Sequence, residues 1–461
     1  MTQVHFLLLA HWVLSHKTLD LFIFLRYYHR CCHCSQAKFC SEGCSLKAWE
    51  IYHQYECGNL DLLQSVGIAH LALKVLLTAG KDQVLKVCST WGEEIIRDKN
   101  IFNKDQPPYT RVYSLLDHID VMPPEDMFQY SLTASLLVNF LMKRTNLFND
   151  CLLEDVYTVG GVLLKHICQL ICNAHAITSI AADHHLQFFS VTTTQESQIR
   201  IASAIYPSAS MMNHSCDPNI ASSFIQGRTL VVRVTTDLNK GSQIFNCYGP
   251  HVRRLRRETR QENLTQQYFF ECDCNSCEKE AEDGFSFVDT FQALQCSKCS
   301  GPIIPDVTKQ SFLVNCQDCG KFEDIEVKMR ASLQVDQIIS VASNFLEEGR
   351  TANALEILSQ GYKIGSQHLF KYNSDYGQMC DMLGRCYAVL GNFDEAIHYV
   401  HESMNYVEQR FGETSIEYAR ELRKLSDLLK LCTGAKSHEQ AMIIAMEKSD
   451  RILKLYENEN S

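Results

Sequence analysis

Cysteine and histidine occur in this chain in clusters whose spacing suits metal binding. Cys296-x2-Cys299 and Cys316-x2-Cys319 are separated by 16 residues. Each pair puts two thiolates on one tight turn, and two such turns complete a tetrahedron around zinc. Gly301 and Gly320 follow the two knuckles and suit those turns. Cys272-x-Cys274-x2-Cys277 offers three thiolates, one short of a tetrahedral site. The fourth must come from elsewhere, and Cys216, inside Asn213-His214-Ser215-Cys216-Asp217-Pro218-Asn219, is a candidate. The N-terminal cluster is Cys31-x2-Cys34, Cys40-x3-Cys44 and His53-x3-Cys57. Its last two pairs have one-turn spacing, so each can face one ion from a helix. These ligands fall short of what two closed tetrahedra require, with Cys32 and His33 as spare neighbours. The expectation is structural Zn2+ at about three sites, plus a half site.

Composition narrows the setting. The chain has 461 residues, of which 46% are hydrophobic and 21% charged, as in a folded globular protein of several domains. Its 22 cysteines are too dilute for a disulfide scaffold. A net charge of −11 argues against general nucleic-acid binding, because phosphate affinity comes mostly from Lys and Arg. Many thiolate sites imply a reducing compartment, so cytoplasm and nucleus are the expected locations.

The clusters must be positioned by the segments between them. Residues 1–30 read as an atypical apolar leader. They lack the basic start and small-residue cleavage site of a signal peptide, and Lys17 and Asp20 interrupt any membrane span, so no membrane association is expected. Residues 31–57 hold the first cluster. Residues 58–190 read mostly helical, with apolar spacings of three and four in Leu60–Leu77 and Tyr130–Leu147. Pro107-Pro108 and Pro123-Pro124 divide that region. Residues 191–265 change to short β-branched runs, such as Thr229–Val234 and Gln243–Phe245, bounded by turns at Gln226-Gly227 and Asn239-Lys240-Gly241. Residues 266–280 carry the Cys triad, and Glu278–Asp283 reads as an acidic linker into the CxxC pairs of 281–330. Residues 331–461 are helical and repetitive. Leu383-Gly384, Tyr387, Gly391 and Ala396 sit at tetratricopeptide-like offsets, echoed by Phe345, Gly349 and Ala354. An antiparallel helical array of this kind presents a groove for peptides or proteins.

With these motifs assembled, the chain resembles the SET and MYND domain family of protein-lysine methyltransferases. The matching text is AIYPSASMMNHSCDPN at 204–219, GSQIFNCYGP at 241–250, QYFFECDCNSC at 267–277 and FCSEGCSLKAWEIYHQYEC at 39–57. The resemblance implies an α+β multidomain fold. It would combine a MYND zinc finger with a helical insert and a SET β-fold of small curved sheets with a knot-like crossing. A post-SET zinc site, a zinc ribbon-like segment and a tetratricopeptide-like helical domain would follow. It also implies S-adenosylmethionine as cofactor and a lysine of a protein as substrate. Asn213 and His214 inherit cofactor contact, Asn173 looks like the residue holding the cofactor's amino-acid end, and Phe270 like the aromatic on adenine. Tyr248 looks like the active-site tyrosine, in contact with the cofactor as well, and Tyr268 like one wall of the lysine channel. Cys216 would join Cys272, Cys274 and Cys277 in the post-SET site. The finger would bind proline-rich peptides, the helical tail other proteins, and the chain would act as a monomer.

The chain also departs from the family pattern. The family has an N-terminal SET piece with a Gly-containing loop over the cofactor, and no Gly precedes Gly43 here. The finger's first CxxC pair has no counterpart, so Cys31, Cys34, His53 and Cys57 would complete one site. Cys40 and Cys44 would be left as half of another, unless Cys32 or His33 joins them. His175 stands where relatives place a channel aromatic. Weak cofactor affinity is therefore expected, and the competing reading is an inactive zinc-binding interaction module. Arg253, Arg254, Arg256 and Arg257 read as a solvated helix face.

Overall fold

The computed structural model describes residues 29–34, 36–91, 108–179, 199–225, 229–305, 312–432 and 436–456. Of the leader read over 1–30, residues 1–28 lie outside them, as does the turn at Gln226-Gly227, whereas His29–Arg30 belongs to the finger as a strand. Among the described residues, no helix is long and apolar enough to cross a membrane.

The finger is small. His29–Arg30 pairs antiparallel with Lys38–Phe39, and the helix Glu42–Ala48 follows, capped by the Ser41 hydroxyl. It continues through a π-helical turn, Trp49–His53. The helical insert comes next. Leu60–Leu77 is not one helix but two, Leu60–Ser65 and Ala69–Ala79, because Gly67 turns left-handed (φ 57°) between them. Pro108 and Pro124 each open a helix, Pro108–Tyr113 and Pro124–Arg144, where a missing N–H costs nothing. The insert's core forms where Leu71, Leu73 and Leu76 meet Leu137, Leu141, Leu163 and Ile167, all essentially inaccessible.

One helix organises this region. Leu153–Asn173 buries an apolar face and carries a polar edge that faces inward. The Gln169 amide donates to the carbonyls of Val112, Tyr113 and Leu115, and Asn173 Nδ2 donates to Leu116 O at 2.9 Å. His166 sits between Tyr109 (2.9 Å) and Gln169 (2.7 Å). A turn that would otherwise bury unpaired carbonyls is thereby satisfied from one helix.

The β region consists of two-stranded pairs. Ala174–Ser179 pairs antiparallel with Ile199–Ile205, and Ile220–Ile225 with Thr229–Val234, the latter strand matching its β-branched run. A two-residue parallel pairing joins Asn213–His214 to Phe245–Asn246. Only that part of Gln243–Phe245 is strand, since Gly241 (φ 93°) and a turn closed by Ser242 N to Asn239 O occupy the approach. Glu278–Asp283 is not a linker. It belongs to the helix Asn275–Asp283, which Gly284 ends at φ 74° and whose Glu280 is buried on Arg260.

The C-terminal array is three helical hairpins. Glu326–Glu347 and Thr351–His368 turn at Gly349, and Ser374–Val389 and Phe393–Phe411 turn at Gly391. Ile416–Leu431 and Lys436–Leu453 complete it. Ala354 and Ala396 are fully buried. A Cβ on Gly384 would meet Val400 at 3.1 Å, which is why the small residues recur there.

His166 gives this fold a pH dependence. Burial pushes its pKa down to about 4 from 6.5. Between those values the unfolded chain holds more protons, so the contribution is complete above pH 6.5 and is lost as pH falls toward 4. The expected loss is about 2 kcal/mol by pH 5. Denaturant titrations across pH 5–7 should show this decline, with a shallower slope in His166→Gln.

Candidate active site

Three groups of ligands converge: Cys31, Cys34, His53 and Cys57; Cys216, Cys272, Cys274 and Cys277; Cys296, Cys299, Cys316 and Cys319. Zinc with Zn–S near 2.3 Å sets sulfur–sulfur edges of about 3.8 Å in a tetrahedron. The observed edges are 3.9 Å for Cys31–Cys57, 3.9 and 3.6 Å for Cys216 with Cys272 and Cys277, and 3.7 and 3.6 Å for Cys296–Cys319 and Cys299–Cys316. The donor sets therefore fit Zn2+. The two ribbon knuckles match each other, with Cys296 N to Gly301 O and Cys316 N to Lys321 O both at 2.9 Å. Only the second uses glycine in the left-handed position, Gly320. In the first, Ser300 takes it (φ 61°), while Gly301 makes room for Asp318, whose side chain a Cβ would strike at 2.4 Å.

Cys40 and Cys44 lie apart from these groups, exposed, with sulfurs 3.0 Å from each other. Cys32 is exposed, and His33 stacks on Trp49 at 4.3 Å. Neither belongs to a ligand group among the described residues.

Each cysteine cluster has a supporting shell that spacing does not reveal. In the finger, Glu56 is buried beside the ligand His53, its carboxylate 3.7 Å from Nδ1, and it also meets His70 at 2.7 Å and Lys74 at 3.6 Å. Burial alone would raise its pKa, but Lys74, His53 and His70 hold it well below the usual carboxylate range. A carboxylate behind a metal-binding histidine fixes the ring. Here it also ties the finger to Ala69–Ala79. At the second cluster, Arg260 is fully buried, donates to Cys277 Sγ at 3.4 Å and pairs with Glu280 at 2.6 Å. A zinc with four thiolates carries net negative charge, which makes a buried guanidinium tolerable there.

The second cluster leads directly into the aromatic wall. His214 Nε2 is 3.4 Å from Cys216 Sγ, and Nδ1 accepts the Tyr248 N–H at 3.0 Å. The ring is neutral, with its pKa held at about 4 by burial, and its proton lies on Nε2. Both ring nitrogens are thus used within the protein, so the ring positions its neighbours. Tyr248 stands 4.8 Å from Tyr268 and 6.4 Å from Phe270, and His214 stands 6.0 Å from Phe270, all between ring centroids. Tyr248 OH donates to Met212 O at 2.7 Å and Tyr268 OH donates to Tyr248 O at 3.0 Å. Burial raises both phenol pKa values, that of Tyr268 to about 12.

These rings line a cavity of about 1940 Å³ together with Asn173, His175, Asn213 and the turn Phe411–Glu417 of the helical array. Asn173 spends its amide nitrogen on Leu116 and Gln169, so its oxygen is the atom left for a ligand. His175 packs edge-on against Tyr206 at 5.6 Å. Ser210 also lines the cavity, and its hydroxyl is buried without a hydrogen-bond partner. Sequence reasoning missed Ser210, though it lies within the NHSCDPN-flanking text. Such an orphaned donor suits a polar ligand.

The arginine run is not a solvated helix face, because only Arg257 enters a helix. Arg253 donates to Gln409 O at 3.0 Å, Arg254 pairs with Glu417 at 2.7 Å and Arg256 with Asp289 at 2.8 Å. Arg257 Nε donates to Cys277 O. The run fastens the cavity to the array and to the post-cluster segment.

Comparison with known proteins follows the same line. A family profile for the SET domain matches residues 81–249. The protein-lysine N-methyltransferase SMYD4 of Homo sapiens is 30% identical over 86% of this chain and 55% of its own length. Its namesake from Danio rerio is 29% identical over 86% of this chain and 60% of its length. A SET and MYND domain-containing protein of Dictyostelium discoideum is 36% identical over 25% of this chain and 10% of its length. The chain thus spans little more than half the length of the SMYD4 relatives.

Metal analysis of the purified chain should give three zinc ions per molecule. Cys316→Ser should lower that to two, whereas Cys40→Ser should leave three. A fourth ion lost with Cys40→Ser would show that the Cys40–Cys44 pair is part of a closed site.

Proposed function

This chain belongs to the SET and MYND domain family, and from that membership we propose that it is a protein-lysine N-methyltransferase using S-adenosylmethionine. The observation that carries the reading is the convergence of Tyr248, Tyr268, Phe270 and His214 on one cavity wall. Bound S-adenosylmethionine would supply an electrophilic methyl group on a sulfonium. Asn173 through its oxygen, Asn213, Ser210 and the Phe270 ring are the groups suited to hold it.

The tyrosines serve the incoming lysine. Each phenol proton is spent on a backbone carbonyl, so each hydroxyl oxygen presents lone pairs to the amine. Accepting its N–H bonds orients the nitrogen lone pair. The raised phenol pKa values keep both groups protonated at working pH, so neither serves as a tyrosinate base. Removing the ammonium from water lowers its pKa toward the neutral form, while the aromatic faces still attract the cationic product.

The wider reading follows from the same membership. The finger offers a surface for proline-rich peptides. The array, read as tetratricopeptide-like, offers a groove for other proteins, and the chain works as a monomer in cytoplasm and nucleus.

Calorimetry with S-adenosylmethionine tests the reading directly, and micromolar binding supports it against the weak affinity expected from the sequence. Tyr248→Phe should lower kcat on a peptide library by about 100-fold while leaving cofactor affinity unchanged. Absence of both binding and transfer in the zinc-loaded chain would overturn the reading.

A further inference from the structure

Three non-glycine residues among those described have positive φ, and two of them touch. His118 (φ 53°) and Phe269 (φ 60°) come from segments 151 positions apart, and their rings pack against each other at a tilt of 40° with centroids 5.1 Å apart. Both line the large cavity. A left-handed aromatic persists only where its surroundings over-determine it.

The position of Phe269 makes the choice informative. It caps the helix Arg257–Tyr268, a place where glycine is usual, and this chain does use glycine after Asn275–Asp283. The left-handed residue lies between Tyr268 and Phe270, both of which face Tyr248. Its own ring packs on His118 instead.

Both partners are anchored to the last turns of Leu153–Asn173. On one side, Lys165 pairs with Asp117, Asp117 Oδ1 accepts the Ile119 N–H at 3.2 Å, and Asn173 Nδ2 holds Leu116 O. On the other, Gln267 Nε2 donates to Ile171 O at 3.2 Å and Cys172 Sγ to Gln267 O at 3.4 Å. Among the described residues the ring contacts of Tyr248 run to His214, Tyr268 and Phe270 rather than to His118 or Phe269. Their effect runs through the turn that aims Tyr268 and Phe270.

We infer that the His118–Phe269 ring contact is a positioning clasp, which closes the insert onto the segment after the SET core and sets the aim of Tyr268 and Phe270. Its role in cofactor binding rests on the methyltransferase reading above; its role in holding the turn does not.

The test uses the full zinc-loaded chain. His118→Asn and Phe269→Asn keep a residue that tolerates the left-handed backbone and remove one ring each. His118→Phe keeps a ring to pack on Phe269. Hydrogen exchange of the peptide spanning residues 266–272 is measured without cofactor, and S-adenosylmethionine affinity by calorimetry. The two Asn variants should raise exchange there by about tenfold and weaken cofactor binding by about tenfold. Zinc content should stay at three, and His118→Phe should restore both readouts. Unchanged exchange in both Asn variants would overturn the clasp. Raised exchange in a chain whose wild type binds no cofactor would uphold the clasp and fail the methyltransferase reading instead.

Discussion

Four sulfurs at zinc-tetrahedral spacing tie Cys216 to a segment beginning 56 residues later, and the candidate active site depends on that tie. Cys216 is two residues from His214, whose ring links its sulfur to the Tyr248 amide. The other three sulfurs belong to the segment that carries Tyr268 and Phe270. One ion held by these four sulfurs would therefore set the spacing between the two halves of the aromatic wall. The parallel pairing of Asn213–His214 with Phe245–Asn246 fixes the first half, and Ser215 N to Asn246 O extends it. Two short strands would hold little by themselves. Held by the cluster and by the Asn219 side chain, which bonds both Gln243 O and Phe245 N, they become a rigid edge.

The second organising element is the helix Leu153–Asn173. Its apolar face builds the insert core, and its polar edge captures the carbonyls of Val112, Tyr113, Leu115 and Leu116. The same helix ends at Asn173, where the strand Ala174–Ser179 begins. A helix that packs the insert and also feeds the β region transmits the position of one to the other. The Glu56 carboxylate does the equivalent for the finger, since it meets a ligand and two residues of Ala69–Ala79 at once.

What the sequence made legible was local or strongly patterned. CxxC knuckles need only short turns, so the ribbon ligands were readable from spacing. The strand Thr229–Val234 was readable from its β-branched run, and the hairpins of the array from Gly349 and Gly391 with buried alanines. The residues suspected at the active site were readable only through the family text. What stayed hidden depends on partners far along the chain. Arg260 and Glu280 look like ordinary surface charges until the fold buries them beside a thiolate cluster. Glu278–Asp283 looks like a linker because its charge hides the helix that Cys277 and Glu280 anchor. Ser210, His118 and Phe269 carry no spacing signal, because their significance is a cavity or a backbone angle.

The arginine run shows why charge pattern alone misleads. Four closely spaced arginines in a chain of net charge −11 read naturally as solvated. Arg254 and Arg256 do remain half exposed, and such pairs contribute little stability individually. Their value is geometric. Arg253 lies over the Phe287 ring and bonds the Gln409 carbonyl, while Arg254 lies over Phe411 and pairs with Glu417. The turn Phe411–Glu417 lines the same cavity as Tyr248. The contacts thus join the array to the cavity rim within a few residues of Tyr248. Because no single contact is strong, such a rim would yield to an entering segment, while an aromatic wall fixed by a zinc on the second cluster would not. Under the proposed function the site would admit a flexible protein chain yet aim one amine at one carbon, and a division between a yielding rim and a fixed wall would serve both.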